Sequence, residues 1–122
     1  MSPESSTSDR SSSEVVAFNL IPMRDGISVD EFADFSSTLD RPTCLAQDVV
    51  VGFDAYRVIR DAGFTRAFDV VEVMHVRSWP EWERVRDDLA ELRPVTKRFG
   101  ELVDASLVRT FLATKMSGNG RS

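Results

Sequence analysis

A chain of 122 residues is the size of one domain, and its net charge of −5 excludes the basic face that nucleic acid or an anionic membrane would require. A single cysteine, Cys44, excludes an intrachain disulfide, and with a single histidine, His75, the chain falls short of the ligand set of a structural zinc. No stretch is apolar for long enough to span a membrane, so a soluble, cytoplasmic protein without metal or bound cofactor is expected.

Residues 1–13 are polar and Ser-rich, without the apolar centre of a signal peptide, and are expected to form a disordered leader. Residues 117–122 read as a flexible tail, which leaves residues 14–116 as the folded domain. Residues 15–22 are apolar around Asn19 and predict a strand. Arg24-Asp25-Gly26 predicts a turn, and Ser28 with Glu31 a capping box that opens a helix with Val29, Phe32, Phe35 and Leu39 on its apolar face. Pro42 is expected to stop that helix, leaving 43–47 as a loop. Residues 49–59 and 67–76 predict two strands of a hairpin joined at Asp61-Ala62-Gly63. Ser78, Pro80 and Glu81 open a second helix by the same capping box, with Trp79, Trp82, Val85, Leu89 and Leu92 inward. Pro94 breaks it before a shorter helix carrying Val95, Phe99 and Leu102, and 105–113 is the last strand.

The order β-α-β-β-α-β predicts an α+β, ferredoxin-like fold with its helices on one face of an antiparallel sheet. The other face, assigned Val71, Val73 and Val50, is also apolar and predicts a homodimer of the dimeric α+β-barrel kind, the second copy covering it.

Polar residues inside apolar strands are the candidates for chemistry, because a buried polar group is either paired or functional. Asn19 interrupts the first strand, Arg57 follows Tyr56 in the second, and Asp69, Glu72 and His75 interrupt the third. Alternation puts Glu72 with Val70 and Met74 on one face, and Asp69 with His75 on the other. Glu72 among apolar neighbours would have a raised pKa suited to proton transfer, or would pair with Arg57 or Arg109 as a structural ion pair. His75 titrates near neutrality, and serves either as acid–base group or as a hydrogen-bonded structural histidine. Trp79, Trp82, Phe32, Phe35 and Phe99 would line an aromatic pocket or simply fill the core. Cys44, with no base assignable beside it, is not expected to act as a nucleophile.

Several segments together resemble the RedY-like (HapK-like) family of small dimeric α+β-barrel proteins from pigment and bisindole biosynthesis. They are Phe18-Asn19-Leu20, Asp40-Arg41-Pro42-Thr43 (an Asp-x-Pro-Thr pattern in the family), Phe53-Asp54-Ala55-Tyr56-Arg57 (similar to Phe-Glu-x-x-Arg), Phe68-Asp69-Val70-Val71-Glu72-Val73 (similar to Tyr-Asp-Tyr-Ile-Glu-Ile), and Phe99 with Asp104. The chain departs from the family at His75, where an acidic residue is usual, and at Phe68, where Tyr is. The resemblance implies Asn19, Asp40, Thr43, Arg57, Asp69 and Glu72 as residues of the cleft between sheet and helices. It also implies a cofactor-independent condensation or cyclisation of a small indole- or pyrrole-type substrate. In that reading Glu72, His75 or Asp69 moves the proton, Asn19 and Arg57 hold a carboxylate or imine of the substrate, and Tyr56, Trp79 and Phe99 complete its binding site. Two other functions suit the same scaffold: a cofactor-free monooxygenase of the antibiotic-biosynthesis kind, and a non-catalytic binder of a labile aromatic intermediate.

Overall fold

The computed structural model describes residues 14–59 and 68–116. The expected leader, tail and Asp61-Ala62-Gly63 turn lie outside the described residues. Four strands, β1 (Val15–Ile21), β2 (Val50–Arg57), β3 (Val70–Val76) and β4 (Arg109–Ala113), form one sheet in the order β2-β3-β1-β4. Every neighbouring pair is antiparallel. The helices are α1 (Val29–Phe35), α2 (Arg41–Leu45), α3 (Trp79–Asp88) and α4 (Arg93–Leu102). The α+β, ferredoxin-like order read from the sequence is the order observed.

Alternation along β3 shows which face the helices cover: Val70, Glu72, Met74 and Val76 are buried, whereas Val71, Val73 and His75 are half-buried. Phe32 and Phe35 of α1, Trp82 of α3, and Val95 and Leu102 of α4 close the core over Ala17, Ile21, Phe53 and Met74. Phe32 meets Phe35 edge-on at 5.5 Å between ring centroids and Phe99 at 6.3 Å, the arrangement favoured by ring quadrupoles.

The expected turn forms at Gly26. The Ile27 N–H donates to the Arg24 carbonyl at 3.0 Å, and Gly26 takes φ +82°, which a side chain would resist. The capping box of α1 is complete: Ser28 Oγ accepts from the Glu31 N–H at 3.2 Å, while Glu31 Oε1 accepts from the Ser28 N–H at 3.1 Å. At α3 only half of the expected box forms, the Glu81 N–H donating to Ser78 Oγ at 3.3 Å.

Other expectations need correction. The chain does not become a loop at 43–47. A π-helical turn, Ser36–Asp40, joins α1 to α2, and Pro42 falls in the first turn of α2, where a missing N–H breaks nothing. Val50 does not belong to the open face. It pairs with Val76 and is 6% exposed, because a register shift between Val50 and Gly52 turns Val51 outward at 44% instead. The second helix ends at Leu89, where the backbone turns extended before a 3₁₀ turn at Ala90–Leu92, and Pro94 starts α4 rather than ending its predecessor. The last strand begins at Arg109, after a second 3₁₀ turn at Ala105–Leu107.

Candidate functional site

A cavity of about 320 Å³ lies between the core face of the sheet and the helices, a size at the small end for ligand pockets. Its walls are largely apolar: Phe53 and Met74 from the sheet, Trp79 and Trp82 from α3, Leu92, and Val95 and Phe99 from α4. Most of its polar groups gather at the sheet side, where Glu72 of β3, Asn19 of β1, Thr110 of β4, Asp40 and Cys44 meet, while Arg86 of α3 and Thr96 of α4 stand on the helical wall.

Register dictates most of this grouping. Asn19 stands directly opposite Glu72 on one side and Thr110 on the other, so three adjacent strands deliver a polar residue to one level of an otherwise apolar face. Asp40 comes from the other layer, as the last residue of the π-helical turn. A π turn carries one more residue than an α turn, and such turns often re-aim a side chain at a functional position. Cys44 follows Asp40 by one helical turn, close enough for its Sγ to donate to Asp40 Oδ1 at 3.4 Å.

Asp40 and Glu72 are each only 4% exposed, and their carboxyl groups meet within hydrogen-bonding range. Two carboxylates in a dry site cannot both ionise cheaply, so one retains a proton. Burial, and then the charge of Asp40, push the Glu72 pKa well above the ordinary 4.5, while the Asn19 amide draws it back only in part. Burial also raises Asp40, against the lowering effect of the hydrogen bonds from Glu72 and Cys44. Glu72 is the one pushed well toward its neutral form, and a proton held by the pair is shared between the two carboxyls. The Cys44 thiol is pushed far up by burial and by Asp40, so it stays protonated and acts as a donor rather than as a nucleophile. The Thr110 hydroxyl donates to Asn19 Oδ1 at 2.7 Å and fixes which end of that amide faces the carboxyls. One atom is left over: Glu72 Oε2 is buried and has no hydrogen-bond partner.

Of the residues singled out from sequence, Asn19, Asp40, Glu72, Trp79 and Phe99 line this cavity together. His75 lies on the opposite face of the sheet, its Nε2 3.1 Å from Glu14 Oε1, and Tyr56 lies on that face too, 56% exposed. Asp69 accepts the Met23 N–H on Oδ2 at 2.8 Å, holding the chain where β1 ends. Arg57 pairs with Asp30 at 2.7 Å beside a second cavity, also of about 320 Å³, between α1 and the edge strand β2. Thr43 sits on α2 without lining the first cavity, its carbonyl accepting from Gln47 Nε2. Arg57 and Asn19 thus do not share a ligand site, and Glu72 faces Asp40 rather than an arginine.

Sequence reasoning weighed Cys44 only as a nucleophile and passed over Thr110 and Arg86, all three of which also line the cavity. Continuing the helix past Pro42 would have put Cys44 one turn from Asp40. Placing Asn19 and Thr110 at one level needs the β1–β4 register, which no local pattern carries.

Comparison with known proteins agrees with this architecture. The structure of HapK from Hahella chejuensis superposes with a TM-score of 0.69 at 18% identity, over 88% of this chain and 97% of that one. A dabb family protein with a ferredoxin-like fold from Mesorhizobium loti gives 0.61 at 13% identity over 84% and 97%. A dimeric ferredoxin-like protein of unknown function from Thermobifida fusca gives 0.62 at 12% over 83% and 91%. At these identities the likeness speaks for the fold alone. No curated protein matches the chain in sequence. The family model for the REDY-like protein HapK, however, matches residues 15–116, nearly the whole described region, and the chain belongs to that family.

Proposed function

We propose that the cavity is the active site of a cofactor-independent enzyme of secondary metabolism that condenses or cyclises an indole- or pyrrole-type intermediate by acid–base catalysis. The observation that carries this reading is the buried Glu72 carboxyl, with one oxygen unpartnered, set against Asp40 in an aromatic-walled cavity. A protonated carboxylic acid in such a place can deliver its proton to an imine nitrogen and make the adjacent carbon electrophilic. The electron-rich ring then forms the new carbon–carbon bond, and the ring carbon returns its proton to the carboxyl pair. No electron is gained or lost, and the pair ends in its starting state. Trp79, Trp82 and Phe99 supply flat apolar surface to hold the ring near the attacked carbon.

The imine of tryptamine with a simple aldehyde provides a test, its cyclisation followed by mass spectrometry. Glu72→Gln keeps the side-chain shape and can still donate to Asp40, but it has no proton to transfer. It is expected to lower the protein-dependent rate by about 10²- to 10⁴-fold without oxygen uptake in either protein. A Glu72→Gln protein with undiminished turnover would remove Glu72 from the chemistry, and turnover coupled to oxygen consumption would favour a monooxygenase.

The working unit in this proposal is a homodimer. Phe18, Leu20, Val71 and Val73 lie together on the open sheet face, with Tyr56 and Phe111 each 56% exposed, and a second copy would cover them. The Thermobifida fusca and Bacteroides fragilis neighbours are themselves described as dimeric.

A further inference from the structure

The polar floor of the first cavity carries negative charge that nothing beside it offsets. Asp40 accepts from Cys44 of its own helix and faces Glu72 of β3, and two carboxyls that share one proton carry a net negative charge between them. The groups facing the pair from β1 and β4 are the neutral Asn19 and Thr110, joined to each other at 2.7 Å. Arg86 is the one cationic residue lining the cavity among the described residues. It stands on α3 with its side chain 36% exposed, and its guanidinium is held by Asp87 at 2.9 Å. Among the described residues no lysine, histidine or second arginine lines the cavity. Glu72 Oε2 is buried and without a hydrogen-bond partner among the described residues, and Glu72 lines the cavity, so that oxygen offers an acceptor to a donor group placed there.

The geometry points to a ligand that presents a positively charged, hydrogen-donating nitrogen to Glu72 Oε2, with an aromatic body along Trp79, Trp82 and Phe99. An amine or a protonated imine meets that description. A ligand whose carboxylate or phosphate must reach the floor is refused, because it would put like charge beside Asp40 in a site shielded from water. This inference rests on reading the cavity as the substrate site, but it concerns the charge that binds rather than the reaction that follows. Of the carboxylate or imine that the sequence reading placed on Asn19 and Arg57, it keeps the imine and drops the carboxylate.

Calorimetric titration of the full chain near neutral pH with tryptamine and with indole-3-propionate compares two ligands of one ring and opposite charge. Tryptamine is expected to bind at least about tenfold more tightly. Asp40→Asn should bring the two affinities close together, whereas Glu72→Gln, which leaves the Asp40 charge in place, should keep the preference. Equal affinities, tighter binding of the acid, or no binding of either ligand to the native chain would overturn the inference. So would loss of the preference in a folded Glu72→Gln protein, which keeps the test decisive even where Asp40→Asn does not fold. Tryptamine preference without any accelerated cyclisation would sink the catalytic proposal and leave this one standing. Glu72-dependent turnover with tighter binding of the acid would do the reverse.

Discussion

Glu72 is a carboxyl that folding drives toward its neutral form, and that has a consequence for stability. Its pKa in the folded chain lies above the ordinary 4.5, so the folded state holds a proton that the unfolded state releases. The associated stability is complete below pH 4.5 and declines as pH rises through the folded-state value. For one such proton the steepest decline is about 1.4 kcal/mol per pH unit. Glu72→Gln abolishes this dependence. Urea titrations across the pH range should show the variant gaining on the native protein as pH rises, and a gain on acidification instead would contradict the buried neutral acid. The position was legible in sequence, since a glutamate among valines on the inward register of a strand has few other places to go. Asp40 was legible only through the Asp-x-Pro-Thr pattern shared with relatives. The contact between the two spans the sheet and helix layers, and no periodicity within either layer reveals it.

At the scale of elements, local signals placed what local chemistry controls. Ser28 with Glu31 marks the start of α1, and its two reciprocal hydrogen bonds satisfy backbone and side chain together. Ser28→Ala is expected to cost about 1 kcal/mol, read as a lower midpoint in chemical unfolding with an unchanged slope. Ser78→Ala, which removes a single longer bond at 3.3 Å, should cost no more than that. Where the sequence misled, the cause was punctuation. Pro42 reads as a stop, but a proline is equally suited to the first turn of a helix, and the π turn before it lets the chain run on. That misreading hid the Asp40–Cys44 pair. Val50 was misassigned for a comparable reason, since a bulge one residue away reverses which side chains face inward.

For the whole molecule, strand order and layering followed from the element sequence, because short crossovers leave few arrangements for β-α-β-β-α-β. The open face of the sheet lies on the side away from the helices. Val73 lies near the middle of that face, opposite Phe18 and Asp54. Val73→Lys should shift sedimentation from dimer to monomer while the far-ultraviolet spectrum stays the same. A native chain that sediments as a monomer at high concentration would remove the dimer from the proposal.

The proposed chemistry depends on a neutral Glu72 facing Asp40 near neutral pH. Infrared difference spectroscopy between the native chain and Glu72→Gln addresses that state directly. A protonated-carboxyl stretch is expected in the native spectrum near pH 7 and is missing from that of the variant. Two carboxylate bands and no protonated stretch at that pH would contradict it.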